Sequence, residues 1–243
     1  MNSIAMLFLG ACAAVFSAAS PVETVRFAAA DGATVVADVY PAAAGKAAPV
    51  VLLFHQMEGN AAEYAPIVPR LVEAGFTCIV PDLRGGGDRF GAKSRNPGTK
   101  GADLRVGFRE GYADMSATAK WAREYGYTGK TVAWGSSYSA GMVFRLAKEN
   151  PHIAAVLSFS PPPAEFVPNL VTEGLEIPVL VTNPPSEVER KKALVGSLRF
   201  PKLTVLAQEK GTHGSSTLRP DTNAEGCEAI WKDVLAFLKA AVA

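Results

Sequence analysis

The sequence predicts an α/β domain built on a mostly parallel sheet with helices on both faces. Short apolar runs alternate with helix-forming segments along most of the chain, as in doubly covered parallel sheets. The run Val-Val-Leu-Leu-Phe at 50–54 is apolar at every position, which is typical of a strand buried on both faces. The chain has 243 residues, of which 49% are hydrophobic, and this length favours one domain with a sizeable core.

The predicted elements follow in order. Segments 22–27 and 34–40 alternate in polarity and are joined by Asp31-Gly32, which predicts an N-terminal hairpin. Further apolar runs predict strands at 50–54, 76–80, 131–134, 153–159, 178–182 and 203–207. Helical patterns predict helices at 61–73, 112–125, 141–149, 187–198 and 227–241. The connection between the strands at 153–159 and 178–182 is short, so we expect no large cap domain.

Residues 1–19 have the composition of a signal peptide. No Lys, Arg, Asp or Glu occurs before Glu23, and residues 4–15 are almost wholly apolar or small. Small residues end this stretch, as a signal peptidase requires. We therefore expect cleavage before Ser20 and export to the periplasm or the exterior, which leaves a single domain at 20–243.

Two alternatives for localisation stay open. Acylation of Cys12 would give a lipid-anchored protein, and an unused signal would leave the chain in the cytoplasm, because the α-amino group is its only positive charge. The apolar run is too short for a stable membrane span. After export, an oxidising compartment would permit a disulfide between Cys78 and Cys227. Cys78 lies in a strand-like run, which favours a buried thiol.

Composition argues against several classes of function. The formal net charge is +1, and Lys and Arg are spread along the chain, so no basic stripe indicates nucleic-acid binding. No group of His, Cys and Asp has the spacing of a metal site. Gly85-Gly86-Gly87 lacks the following Lys-Ser or Lys-Thr of a phosphate-binding loop. We therefore expect no cofactor and no metal; the oligomeric state is left open.

The run Gly135-Ser136-Ser137-Tyr138-Ser139 carries the strongest functional signal. It lies between a predicted strand and a predicted helix, where a nucleophile elbow requires small residues around the reactive one. Ser137 has Gly135 two residues before it and directly follows the strand, so we predict it as the nucleophile. A register centred on Ser139 would place the nucleophile inside the helix.

A serine nucleophile needs a general base, and the chain has 3 histidines. His213 lies in Gly-Thr-His-Gly, just after the last predicted strand, where a base would be presented over the sheet. His152 follows a helix end and is expected at the surface. His55 is expected to shape the loop after its strand. There, the backbone N–H of Gln56 is predicted to form an oxyanion hole with the N–H of Tyr138.

Together these motifs resemble the α/β-hydrolase superfamily. The resemblance rests on the strand followed by His55-Gln56, the loop Pro-Asp-Leu-Arg-Gly-Gly at 81–86, the elbow at Ser137 and the late His213. It covers about residues 22–243, and the short uncapped form is similar to dienelactone-hydrolase-like esterases. It implies a sheet of about eight strands and the chain order serine, acid, histidine.

The resemblance also implies an acid after the strand at 178–182, but the loop there contains no Asp. Glu187 is the first carboxylate in that loop and is the preferred candidate, although a first-turn acid facing the helix dipole is an alternative. Glu165 is the second choice and Glu209 the third. Ser186 is the position where related proteins could carry Asp, which would leave a weakened triad.

The sequence therefore predicts a cofactor-free serine hydrolase that cleaves a small-molecule carboxylic ester through an acyl-enzyme. A thioesterase, lactonase or small peptidase on the same fold is an alternative, because fold does not fix the substrate. The missing Asp motivates a second class, a hydrolase-fold binding protein without efficient catalysis.

Overall fold

The computed structural model describes residues 22–243 apart from 102, 104 and 105. The predicted signal peptide at 1–19 and the alternative anchor Cys12 lie outside the described residues. Among the described residues, no helix is both long and apolar enough to cross a membrane.

The strands form one sheet in the order β1-β2-β4-β3-β5-β6-β7-β8. They are β1 (Glu23–Ala28), β2 (Thr34–Tyr40), β3 (Val50–Phe54), β4 (Thr77–Asp82), β5 (Thr131–Ser136), β6 (Ile153–Phe159), β7 (Val179–Asn183) and β8 (Leu203–Ala207). Strand β2 pairs antiparallel with β1 and β4, and every other neighbouring pair is parallel. The predicted mostly parallel sheet of about eight strands after an N-terminal hairpin is confirmed.

Helices cover both faces of this sheet. They are α1 (Val68–Glu73), α2 (Gly111–Glu124), α3 (Tyr138–Glu149), α4 (Val188–Ser197) and α5 (Cys227–Val242). Alternate residues of β3 point to opposite faces. Val50, Leu52 and Phe54 pack in a cluster with α2 and α3, whereas Val51 and Leu53 pack in a cluster with α1 and α5. This explains why β3 is apolar at every position.

Element boundaries differ from the predictions at three places. The helix predicted over 61–73 is a 3-10 turn (Ala61–Glu63) followed by the short α1. Pro66 lies between them and lacks the N–H that a continuous helix would need, while Pro69 is in the first turn of α1, where proline is tolerated. Helix α3 begins at Tyr138, three residues earlier than predicted. A π-helical turn (Val106–Glu110) precedes α2 and was not predicted.

The long cationic loop after β4 is held by ion pairs, of which the one between Arg84 and Asp114 is buried. Arg84 is 4% exposed, and its guanidinium contacts Asp114 at 2.9 Å and Asp31 at 2.5 Å. Arg95 contacts Asp82 at 2.8 Å and Asp38 at 2.7 Å. These pairs tie the loop to β2, β4, α2 and the hairpin turn, although Asp31 and Arg95 keep 45% and 36% of their side chains exposed. The loop is therefore a fixed wall beside the carboxyl ends of the strands.

The connection between β6 and β7 contains the short 3-10 turn Ala164–Phe166, and the described residues include no cap domain. Cys78 and Cys227 are both buried free thiols within the described chain. They pack in the same apolar cluster, and burial raises the pKa of the Cys78 thiol.

Strands β7 and β8 offer a matched test of where the core ends. Val181 on β7 is fully buried, and its register partner on β8, Val205, is 54% exposed. Val181→Ala should lower the free energy of unfolding by about 2 kcal/mol, because two buried methyl groups are lost and a cavity remains. Val205→Ala should change it by about 0.5 kcal/mol or less. Urea denaturation of both variants checks this, and equal losses would contradict the packing described.

Candidate active site

Ser137 lies on a strained turn between β5 and α3. Its backbone has φ 56° and ψ −119°, a left-handed φ that costs of order 1–3 kcal/mol in a non-glycine residue. The turn is so tight that a Cβ on Gly135 would lie 2.6 Å from backbone atoms of Ser139 and Ala140. Gly135 is therefore required, and the strained turn projects the Ser137 hydroxyl from the carboxyl end of the sheet.

The hydroxyl of Ser139, the alternative nucleophile, has a structural role. It is fully buried, accepts a hydrogen bond from the Ser136 N–H at 2.9 Å and lies 2.7 Å from the Phe54 carbonyl oxygen, to which it donates. These bonds tie the elbow to the end of β3. The side chain of Tyr138 is buried against the rings of His55 and Phe108, so it packs the elbow rather than facing solvent.

The structure brings His213 to Ser137. His213 Nε2 lies 2.7 Å from Ser137 Oγ, and its Nδ1 lies 2.5 Å from Glu187 Oε1. A carboxylate can only accept, so Nδ1 carries the hydrogen that is donated to Glu187, and Nε2 is left to accept from the Ser137 hydroxyl. Hydrogen bonds thus connect Ser137 to His213 and His213 to Glu187. This is the order hydroxyl, imidazole and carboxylate that base-assisted attack by a serine requires.

Glu187 is at the N-terminal boundary of α4 but does not cap it, since its side chain makes no hydrogen bond to the first helical N–H groups. Burial raises the pKa of Glu187, but the hydrogen bond from His213 and the nearby charges of His213 and Lys191 outweigh burial and hold it below its ordinary value. The carboxylate is therefore suited to hold an imidazole N–H at neutral pH.

The other candidate residues lie elsewhere. Glu165 is exposed in the turn between β6 and β7, and Glu209 is exposed after β8; neither contacts His213 among the described residues. His152 directly precedes β6, so it lies at the amino ends of the parallel strands, away from the end that carries Ser137. His55 is fully buried, with Nδ1 2.8 Å from the Gln56 carbonyl oxygen and Nε2 accepting from the Leu83 N–H at 2.8 Å. Both its nitrogens are used to join two loops.

The structure corrects the predicted role of Gln56. Its backbone N–H already donates to Glu63 Oε2 at 2.7 Å, so it is not free to bind an oxyanion. Sequence analysis missed Glu63 because it lies in a segment whose pattern predicts a continuous helix. The next amide along the loop, that of Met57, makes no hydrogen bond to any described residue. The N–H of Tyr138 has no acceptor within α3 because Tyr138 is the first residue of that helix.

The loop that carries His213 fits closely against the elbow. Gly214 has φ +68°, and a Cβ there would lie 2.4 Å from Ser136 Oγ, so only glycine fits directly after the histidine. The N–H of Gly214 donates to Ser160 Oγ at 3.0 Å, and the N–H of Ser215 donates to Ser136 Oγ at 2.8 Å. Hydroxyls at the ends of β5 and β6 therefore hold this loop.

A cavity of about 850 Å³ is lined by residues of the π-helical turn, α2, α3 and the connection between β6 and β7, and Ser137, His213 and Glu187 are not among its lining residues. Its wall includes Phe108, whose ring packs edge-on against Tyr138, together with Tyr112 and Phe166. Arg109, Arg145 and Glu165 bring charges of both signs to its rim. Among the described residues, no group of three His, Cys, Asp or Glu side chains is arranged to hold a metal ion.

The chain matches the family model described as alpha/beta hydrolase fold over residues 49–192. No curated protein matches it in sequence. Among solved structures, the Pyrococcus furiosus esterase Pf2001 aligns with a TM-score of 0.68 at 15% identity, over 92% of each chain. A putative dienelactone hydrolase from Klebsiella pneumoniae aligns with a TM-score of 0.64 at 16% identity, over 90% of this chain and 98% of that one.

A dienelactone hydrolase-like promiscuous phosphotriesterase, P91, from metagenomic libraries aligns with a TM-score of 0.65 at 15% identity, over 93% of this chain and all of that one. At such identities the likeness shows a shared fold. The family model covers more than half of the chain, and the mostly parallel sheet of eight strands and the elbow at Ser137 agree with the sequence predictions. The chain belongs to the alpha/beta hydrolase fold family.

Proposed function

We propose that this protein is a serine hydrolase that cleaves a carboxylic ester through an acyl-enzyme on Ser137. One observation carries the proposal: the unbroken contact from Ser137 Oγ to His213 Nε2 at 2.7 Å and from His213 Nδ1 to Glu187 Oε1 at 2.5 Å. A hydroxyl is a weak nucleophile unless a positioned base removes its proton, and this arrangement supplies that base.

The chemistry follows from these positions. Ser137 Oγ attacks the ester carbonyl while its proton passes to His213 Nε2, and Glu187 stabilises the imidazolium through Nδ1–H. When the tetrahedral intermediate collapses, the same proton passes from Nε2 to the leaving alkoxide, and the acyl group stays on Ser137. A water then loses a proton to Nε2 and attacks the acyl carbon, and the proton returns to Ser137 Oγ as the acid departs.

The oxyanion of the intermediate needs hydrogen-bond donors near Ser137. The N–H of Tyr138 is the first donor, and it lies at the positive end of the α3 dipole. Met57 N–H replaces Gln56 N–H as the second donor, since the Gln56 amide is bound by Glu63 and the Met57 amide is not used within the described protein. Each donor is worth about 10²–10³ in rate.

The described residues place no cap domain over the partly exposed Ser137, so an ester reaches its hydroxyl directly from solvent. Proteins of similar fold include an esterase and a putative dienelactone hydrolase, and this favours an oxygen ester over an amide. The alternative of a hydrolase-fold binding protein was motivated by the missing Asp. The contact between Glu187 and His213 removes that motive, because a glutamate reaches the position that an aspartate would serve.

The nucleophile is tested with a phosphonate probe for reactive serines. The wild type should be labelled and should hydrolyse short-chain esters, and Ser137→Ala should lose both properties while keeping its fold, because no other hydroxyl of the described residues contacts His213 Nε2. Ser139→Ala is the matched control: it should lose stability but retain labelling. Mass spectrometry of the adduct locates the label, and a folded wild type that resists the probe would refute the proposal.

The acid is tested by Glu187→Gln. Losing the carboxylate allows the imidazole to adopt the wrong tautomer, so turnover should fall by about 10⁴ with the fold intact. Glu189→Gln is the control, because that side chain is 85% exposed in the same helix. If Glu187 only faced the helix dipole, its substitution would cost about 0.3–1 kcal/mol of stability and leave turnover nearly unchanged. Steady-state ester hydrolysis and thermal unfolding separate the two outcomes.

A further inference from the structure

A second carboxylate is buried beneath the candidate active site. Glu63 is fully buried, and both of its oxygens are occupied. Oε2 accepts from the Gln56 backbone N–H at 2.7 Å, and Oε1 accepts from Ser136 Oγ at 2.6 Å and from Gln56 Nε2 at 3.2 Å. Burial raises the pKa of Glu63, and these hydrogen bonds oppose that effect. A buried carboxylate needs such partners, and here each partner belongs to the site.

Through Ser136 the carboxylate reaches the loop of His213. Ser136 Oγ donates to Glu63, so its lone pair is free to accept from the Ser215 N–H at 2.8 Å. Gly214 packs so closely on the same oxygen that no Cβ fits between them. The position of the residues that follow His213 is therefore set by a hydroxyl whose own orientation is set by Glu63.

Through Gln56 the carboxylate also reaches the loop after β3. It binds the backbone and the side chain of the same residue, and the Gln56 side chain lies 3.4 Å from Ser216 Oγ. The amide next along this loop is that of Met57, the proposed oxyanion donor. One buried group thus links the nucleophile elbow, the histidine loop and the oxyanion loop.

We propose that Glu63 is a positioning residue that holds His213 and the Met57 amide at their working distances through Ser136 and Gln56. This inference rests on the proposed function of the site. It requires a carboxylate in particular: every partner of Glu63 is a donor, and a glutamine would turn an NH₂ group toward the Gln56 N–H or toward Ser136. In the first orientation the NH₂ group faces the Gln56 backbone N–H, donor against donor; in the second it faces the Gln56 side-chain NH₂, donor against donor, and the Ser136 hydroxyl loses its acceptor and must turn. Either orientation displaces one loop.

The variants are Glu63→Gln and Ser136→Ala, with Asp114→Asn as the matched control. Asp114 is also a fully buried carboxylate, but it accepts from the backbone and side chain of Arg84 and contacts neither the elbow nor the histidine loop. Displacing catalytic groups by about 1 Å costs about 10²-fold in rate. Glu63→Gln should therefore lower kcat by about 10–10²-fold with KM within about threefold, because only the chemical step uses the displaced groups.

Ser136→Ala should lower kcat in the same direction by a smaller factor, since it leaves the bond between Glu63 and the Gln56 N–H in place. Asp114→Asn should lower the unfolding midpoint but keep kcat within about twofold of wild type. A Glu63→Gln protein that folds and retains wild-type kcat would overturn the inference, as would a loss of kcat in Asp114→Asn equal to that in Glu63→Gln.

Amide hydrogen exchange gives a readout independent of turnover. In Glu63→Gln, the backbone amides of residues 213–216 should exchange about tenfold faster, while the amides of β2 and β4 keep their protection. Unchanged exchange at 213–216 would overturn the role of Glu63 even if the wild type proved inactive. A wild type that neither reacts with the phosphonate nor hydrolyses esters would refute the proposed function, and the exchange comparison would still decide on Glu63.

Discussion

The site depends on the tight reversal of the chain between β5 and α3. The backbone of Ser137 adopts a left-handed conformation that residues with a Cβ rarely adopt. The turn is also so tight that a Cβ on Gly135 would clash with backbone atoms of α3. Such strain persists only when the surrounding structure holds it. Here the Ser137 N–H donates to the Phe159 carbonyl at 2.8 Å, and Ser139 ties the first turn of α3 to the end of β3.

The position of β5 explains why one turn can gather so many groups. β5 lies between β3 and β6 in the sheet, and all three strands are parallel, so their carboxyl ends meet at one edge. The loop after β3 carries the Met57 amide, the loop after β7 carries Glu187, and the loop after β8 carries His213. This is the edge at which parallel α/β sheets generally place their ligands. The sheet topology thus brings the candidate groups together, and the strained turn places the Ser137 hydroxyl among them.

Much of this arrangement could be predicted from the sequence because it depends on local signals. The apolar pattern of residues 50–54 predicts a buried strand, and Gly135 with Ser137 indicates an elbow, whatever the rest of the chain does. Chain order then singled out His213 and Glu187, and the structure brings both to Ser137. Their catalytic roles stay predictions.

The predicted oxyanion role of the Gln56 N–H was wrong because the acceptor of this N–H lies outside the loop that carries it. Whether a loop amide is free depends on which side chain packs against it, and Glu63 reaches the Gln56 N–H from a 3-10 turn at a place where the sequence pattern predicts a continuous helix. The ion pairs of the loop after β4 are nonlocal in the same way: Arg84 and Arg95 contact carboxylates of the hairpin turn, β2, β4 and α2, which no pattern in the loop itself indicates. Burial and pairing are properties of the folded chain.

We propose that Ser137, the His213–Glu187 pair and the backbone amides of Tyr138 and Met57 act on one acyl carbon. A crystal structure of the phosphonate adduct tests it most directly. We expect phosphorus bonded to Ser137 Oγ, with one phosphonyl oxygen about 3 Å from the backbone nitrogens of Tyr138 and Met57. An adduct on another serine, or a phosphonyl oxygen that takes the Gln56 N–H from Glu63 or faces solvent, would contradict the account.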